Sequence, residues 1–197
     1  SGLVESMLKQ SAMAQPAKNW ALLHAALFAY AGDNPASGNP FLQQIESAGI
    51  LPPEVMPIEL SNFFVGAARR CIEGPTINIQ TARLYDPANH EAFAYYLFGF
   101  RNLGGGNWKD AKTILEAAVK NNPAGDADWI NSLRPLAESR LGKLAELAAL
   151  ASAPSAAEAR TALETLRSKR DGFMFSPAMK SPLEKLEKDL LERASRP

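Results

Sequence analysis

The chain has one cysteine and two histidines in 197 residues. Cys71 has no partner for an intramolecular disulfide, and in a helical-looking segment it reads as a small buried hydrophobe rather than a reactive thiol. A lone cysteine leaves the compartment open. His24 and His90 are too far apart for the i, i+4 pair of a helical metal site, so no metal and no cofactor is expected. His24 reads as an imidazole at the edge of a core, bonded to a backbone carbonyl, and His90 as a surface or helix-start residue. An excess of either charge is also missing: 21 basic residues balance 21 acidic ones. Neither sign forms a long block, so the electrostatic footprint of a nucleic-acid binder is absent. The longest apolar run, Trp20 to Ala31, contains His24 and spans about a dozen residues, too few to cross a bilayer. No membrane insertion is expected. Ser1-Gly2 looks like a pair left by tag cleavage and no basic, apolar leader follows it. The expectation is a chain that begins inside a longer protein or after a removed leader.

Signals for a reaction are equally sparse. No nucleophile sits in a strand-to-helix elbow. Gly104-Gly105-Gly106-Asn107 is not preceded by a strand and not followed by Gly-Lys-Ser/Thr, so it reads as a turn of left-handed glycines rather than a phosphate loop. Asn107 with Asp110 then reads as an ordinary helix N-terminal cap. The chain is expected not to be an enzyme.

What is present is helical spacing nearly throughout. Charge divides the chain unevenly, with 19 of the 42 charged residues in positions 1–125 and 23 in 126–197. The front half is therefore the more buried part. Trp20, Leu23, Leu27 and Tyr30 mark one face of a helix over Pro16 to Tyr30, stopped by Gly32-Asp33-Asn34-Pro35. Phe41 to Ala48 forms a short partner ended by Gly49, and Pro52-Pro53 predicts an extended connection. A third helix runs from Pro57 to Ile72 with Leu60, Phe63, Phe64 and Ala67 inward. Gly74-Pro75 breaks the chain, Ile77 and Ile79 give Thr76 to Gln80 strand character, and Gln80 to Tyr85 offers barely two helical turns before Asp86-Pro87.

Further on, Trp129 falls at the phase of Tyr95 in the segment before it, and Pro135 interrupts the pattern. A long helix starting at Pro135 presents Leu136, Leu141, Leu144 and Leu147. Two helices follow. Ser155 with Glu158, and Ser181 with Glu184, have capping-box spacing. The first helix presents Ala159, Ala162, Leu163 and Leu166; the second presents Leu183, Leu186, Leu190 and Leu191. They predict a closing antiparallel pair. Arg167, Lys169, Arg170 and Lys180 flank an apolar tip, Phe173, Met174, Phe175 and Met179, which the body of the domain or a partner must cover.

The most specific pattern lies between Ala92 and Pro123: Tyr95, Phe98 and Gly99, then Gly106, Trp108, Ala111, Leu115, Ala118 and Pro123. Gly99, Ala111 and Ala118 lack bulk where two helices would cross closely, while Tyr95, Phe98 and Leu115 fill the space beside them. This stretch resembles a tetratricopeptide repeat. The Trp20 helix matches the repeat at Trp20 and Leu23 and departs from it at His24, where a small residue is the rule. The resemblance implies an all-α fold of antiparallel helix hairpins, with residues 1–125 forming a short irregular solenoid and 126–197 a C-terminal helical extension on the same domain. It also implies an inner-helix groove, whose facing positions fall on Phe93, Tyr96, Phe100 and Leu103.

The function this implies is protein–protein interaction, as a scaffold or regulatory module of a larger protein that takes a partner peptide or helix in a concave groove. The alternative is a helical accessory domain of an enzyme, shaping a substrate cleft, carbohydrate included, with Trp20, Trp108 and Trp129. Nucleic-acid binding through a helical repeat is disfavoured by the neutral charge.

Overall fold

The computed structural model describes residues 15–32, 35–74, 77–84, 91–121 and 128–196. The boundary expected at 125/126, together with His90 and Pro123, lies outside them. Among the described residues there are nine α-helices and no strand, and the fold is all-α. The helices are α1 (Gln15–Ala31), α2 (Asn39–Ala48), α3 (Ile58–Glu73), α4 (Ile79–Arg83), α5 (Glu91–Gly104), α6 (Trp108–Asn121), α7 (Asp128–Ala151), α8 (Ala156–Ser168) and α9 (Lys180–Ala194).

Helix α5 organises the assembly. Every residue from Phe93 to Phe100 is buried, so the helix is apolar on all sides and must be enclosed rather than laid on a surface. It packs most extensively on α6, then on α1, and also meets α3, α4 and the 3₁₀ turns Pro35–Gly38 and Pro177–Met179. The α5–α6 crossing is close because Gly99 faces Leu115: a Cβ at position 99 would lie 2.6 Å from Leu115 Cδ2. Ala111 and Ala118 are fully buried. Between the helices, only Gly106 of the three glycines is left-handed, with φ of 81°. A Cβ there would meet the Ala178 carbonyl oxygen at 2.5 Å. Asn107 precedes α6 and its side-chain amide donates to Asp110 Oδ2 at 2.7 Å.

Two local expectations change in the middle of the chain. The Pro52-Pro53 connection is folded back rather than extended, because the N–H groups of Val55 and Met56 both donate to the Pro52 carbonyl at 2.9 and 3.1 Å. The segment with strand character pairs with no strand. Ile77 is instead held by a side chain: its N–H donates to Asn102 Oδ1 at 3.2 Å and its carbonyl accepts from Asn102 Nδ2 at 2.6 Å. Asn78 then caps α4, accepting from the Thr81 N–H.

The tail departs from expectation at its helix starts. Helix α7 carries Pro135 inside it rather than at its N-terminus. The Ser155–Glu158 capping box forms. The one expected at Ser181 does not, because α9 begins at Lys180, directly from the turn Pro177–Met179, with no side-chain cap. Helices α8 and α9 are antiparallel, since partners of Arg160, Arg167 and Arg170 run backwards through Ala194, Glu187 and Glu184. Leu183, Leu186 and Leu190 face inward, whereas Leu191 is about half exposed. Arg193 ties this pair to α7, donating to the Ala153 and Ala151 carbonyls at 2.9 and 3.1 Å. The apolar tip is covered by the protein itself: Phe173, Phe175 and Met179 are buried and Met174 alone is exposed. Arg167, Lys169 and Arg170 meet Glu187, Glu146 and Glu184 rather than solvent alone.

Overpacking the α5–α6 crossing with Ala111→Leu or Ala118→Leu should lower unfolding free energy by roughly 1–3 kcal/mol. Gly106→Ala, strained in φ and crowded by Ala178, should destabilise by about the same 1–3 kcal/mol or more. Urea midpoints measure both effects, and unchanged midpoints would contradict the close crossing.

Candidate functional site

The four side chains expected to line a partner groove do not line one. Phe93, Tyr96, Phe100 and Leu103 are 2%, 0%, 1% and 3% exposed. The physical reason is the enclosure of α5. Trp20 and His24 from α1 cover Phe93 at ring-centroid separations of 5.4 and 5.0 Å, Tyr96 stacks on Phe100, and Ser176 Oγ donates to the Leu103 carbonyl at 3.4 Å. These residues are core.

Of the three tryptophans expected to shape a substrate cleft, Trp20 and Trp108 pack within the protein. Trp20 sits in an aromatic cluster with Phe63 and Phe64, edge-on to Phe64 at 4.9 Å. Trp108 is buried, with the Lys109 ammonium 5.6 Å over its ring. The Trp129 side chain lies outside the description.

Titratable groups follow burial. His24 is bonded to a backbone carbonyl as expected: Nδ1 lies 2.8 Å from the Trp20 oxygen. Since a carbonyl only accepts, Nδ1 carries the proton. Desolvation among the aromatics lowers its pKa below 6.5, opposed by that hydrogen bond. Burial pushes the Cys71 thiol up to about 12, against the lowering effect of Arg101, so the thiol stays protonated and inert. Tyr30 is likewise raised by burial, and its hydroxyl donates to Asn39 Oδ1 at 2.6 Å. On the surface, the hydrogen bond from Arg167 holds the Glu187 carboxyl below its usual range.

Three concavities lie among the described residues. A recess of about 180 Å³ between Tyr30, Asn39, Arg101 and Gly104 has its polar groups engaged, since Arg101 Nε donates to the Cys71 carbonyl at 3.0 Å. Beside α4 and α6, a wider hollow of about 580 Å³ is edged by Arg83, Glu116 and Lys120. The cleft of about 480 Å³ between the end of α7 and α8 has a floor of alanine methyls, Ala149, Ala153, Ala157 and Ala162. Its two carboxylates are committed, Glu146 to Lys169 and Glu158 to the capping box. Among the described residues no group of three His, Cys, Asp or Glu is placed to hold a metal ion, and no helix is long and apolar enough to cross a membrane.

The strongest exposed feature was not anticipated from sequence. Ile50 and Val55 in the α2–α3 connection, and Ile58 at the first position of α3, are 58%, 48% and 40% exposed. Gly49, at φ of 68°, ends α2 and turns the chain into it. Met56 is buried and anchors the loop. The Leu51 N–H donates to Ser61 Oγ at 2.8 Å, and Pro52, Pro53 and Pro57 restrict the backbone. The loop thus holds apolar side chains in water on a constrained frame. The signal available in sequence was the set of apolar residues set between prolines. No protein-family model, curated protein or solved structure matches the chain.

The His24 shift has a sign that can be measured. Its folded pKa is depressed, so on acidification the unfolded state takes up the proton first, and stability falls as pH drops below about 6.5. Urea midpoints between pH 7 and pH 5 should fall more steeply for the native sequence than for His24→Gln; parallel profiles would refute the assignment.

Proposed function

We propose that this chain is a non-enzymatic protein-interaction module, a scaffold or regulatory part of a larger protein, that engages a partner peptide or helix. Support comes first from the α2–α3 connection and the start of α3, where three large aliphatic side chains stand exposed within nine residues. Monomer surfaces carry single exposed hydrophobes routinely, whereas a run of them on a fixed frame is a feature of contact surfaces. The frame matters energetically. Two backbone bonds to the Pro52 carbonyl and one to Ser61 pre-order the loop, so association loses less conformational freedom than it would with a loose segment. The tetratricopeptide resemblance of Ala92 to Pro123 supports the same class of function. The contact surface of this reading is the loop and not α5, whose aromatics are enclosed.

The test is capture from an extract of the source cells with the immobilised chain. Ile50→Ser/Val55→Ser/Ile58→Ser should retain the native circular dichroism and lose most of the specifically held protein. Equal retention by both chains, or none by either, would overturn the reading.

A further inference from the structure

Charge around the same loop points to the kind of partner it takes. Between Lys18 and Arg69 the sequence contains no lysine or arginine, while Asp33, Glu46, Glu54 and Glu59 all lie in that interval. Glu46 is answered by Arg69 across α2 and α3 at 3.3 Å. Glu54 and Glu59, the immediate sequence neighbours of Val55 and Ile58, have no basic group in ion-pair range among the described residues. Glu59 gains from the positive end of α3, in whose first turn it lies. Glu54 lies in the turn ahead of α3 and has no such helix to answer it. The loop therefore presents exposed aliphatic side chains with carboxylates beside them.

We infer that the Ile50–Glu59 surface docks a basic amphipathic helix of a partner protein, apolar residues seated on Ile50, Val55 and Ile58, and lysine or arginine beside Glu54 and Glu59. This rests on the interaction reading above. A helix is favoured over an extended peptide by hydrogen-bond accounting. The N–H groups of Leu51, Val55 and Met56 are already used within the protein and Pro52, Pro53 and Pro57 carry none, so the loop offers no continuous strand edge for main-chain pairing. A segment lying on it must satisfy its own backbone, as a helix does. Opposite charge on the rim speeds encounter and sets register, while the aliphatic contact slows release.

The experiment uses the full chain and a fluorescein-labelled leucine–lysine peptide patterned as an amphipathic helix. Two control peptides accompany it, one with every lysine replaced by glutamate and one with the same composition in scrambled order. Anisotropy should report binding of the patterned basic peptide only, weakening as salt is raised. Val55→Ser/Ile58→Ser and Glu54→Gln/Glu59→Gln, all at exposed positions, should each reduce affinity about tenfold, equivalent to about 1.4 kcal/mol. No binding, equal binding of the scrambled peptide, or binding untouched by either variant would overturn the inference. Preference for the glutamate peptide that still depends on Val55 and Ile58 would overturn the charge assignment alone and leave the interaction surface standing. Failure of the extract capture would remove that surface as well.

Discussion

A helix that is apolar on every side has to be surrounded, and the rest of this structure follows from surrounding α5. Burying Tyr95, Tyr96, Phe98 and Phe100 together removes several hundred Å² of apolar surface from water, at about 25 cal/mol per Å². One neighbouring helix covers only one stripe of a helix. Helix α6 approaches closest because Gly99 has no side chain and Leu115 fills the gap. Helix α1 closes another side through Trp20 and His24. Remaining openings are filled by short pieces: Pro35 beside Gly104, Ala178 beside Gly106, and the Ile77 strap. Enclosure also imposes a polar condition. Asn102 is fully buried on the same helix, and its amide is satisfied by giving and receiving one hydrogen bond with the Ile77 backbone. Losing that strap would leave two polar groups unpaired in the core, a greater loss than the strap's own contacts.

The C-terminal helices obey a different logic. Their outer faces are charged, and the ion pairs between them, such as Arg167 with Glu187, are exposed on at least one side; pairs of that kind contribute little each. More depends on what Arg193 and Arg160 do at helix ends, where carbonyls lack intrahelical partners. Arg193 donates to the carbonyl of Ala151, the last residue of α7, and to that of Ala153 just beyond it, and Arg160 to Ala194 at the end of α9. Each guanidinium joins two helices by satisfying one helix's C-terminus, a fixed geometry that surface ion pairs do not supply. This layer joins the core through α7, which packs on α6, and through the segment before α9: Phe173, Phe175, Ser176 and Met179 are all buried, and Ser176 reaches the Leu103 carbonyl at the end of α5.

What was legible in the sequence was whatever depends on neighbours in sequence. Gly106 in its turn, the Ser155–Glu158 box and the inward faces of α3 and α8 are set by spacing within one or two turns. What failed depended on contacts between distant residues. Ile77 and Ile79 alternate like a strand, but Asn102, 25 positions away, takes the Ile77 N–H and carbonyl that a neighbouring strand would have paired. Ser181 has the right spacing for a cap, yet the 3₁₀ turn before it runs straight into α9 and leaves no break to cap. Repeat phase placed Phe93, Tyr96, Phe100 and Leu103 on a common side of α5 and carried no information about what covers that side.

Enclosing the aromatics also moves the exposed apolar surface elsewhere. In an open array of hairpins the inner helices keep one face free, and recognition uses side chains on rigid helical backbone. Here that face is occupied, so large aliphatic side chains reach water mainly in connections and at single helix positions. Such positions are ordinarily poor contact surfaces, because a loop loses backbone freedom when it is held against a partner. The α2–α3 connection differs in having that freedom removed already, by three prolines, the bonds onto Pro52 and the buried Met56. Met56 in particular converts a solvent loop into an extension of the core: its side chain shares the interior with α3 while its neighbour Val55 points outward. The packing of Met56 into the core thereby fixes the position of the exposed residues beside it.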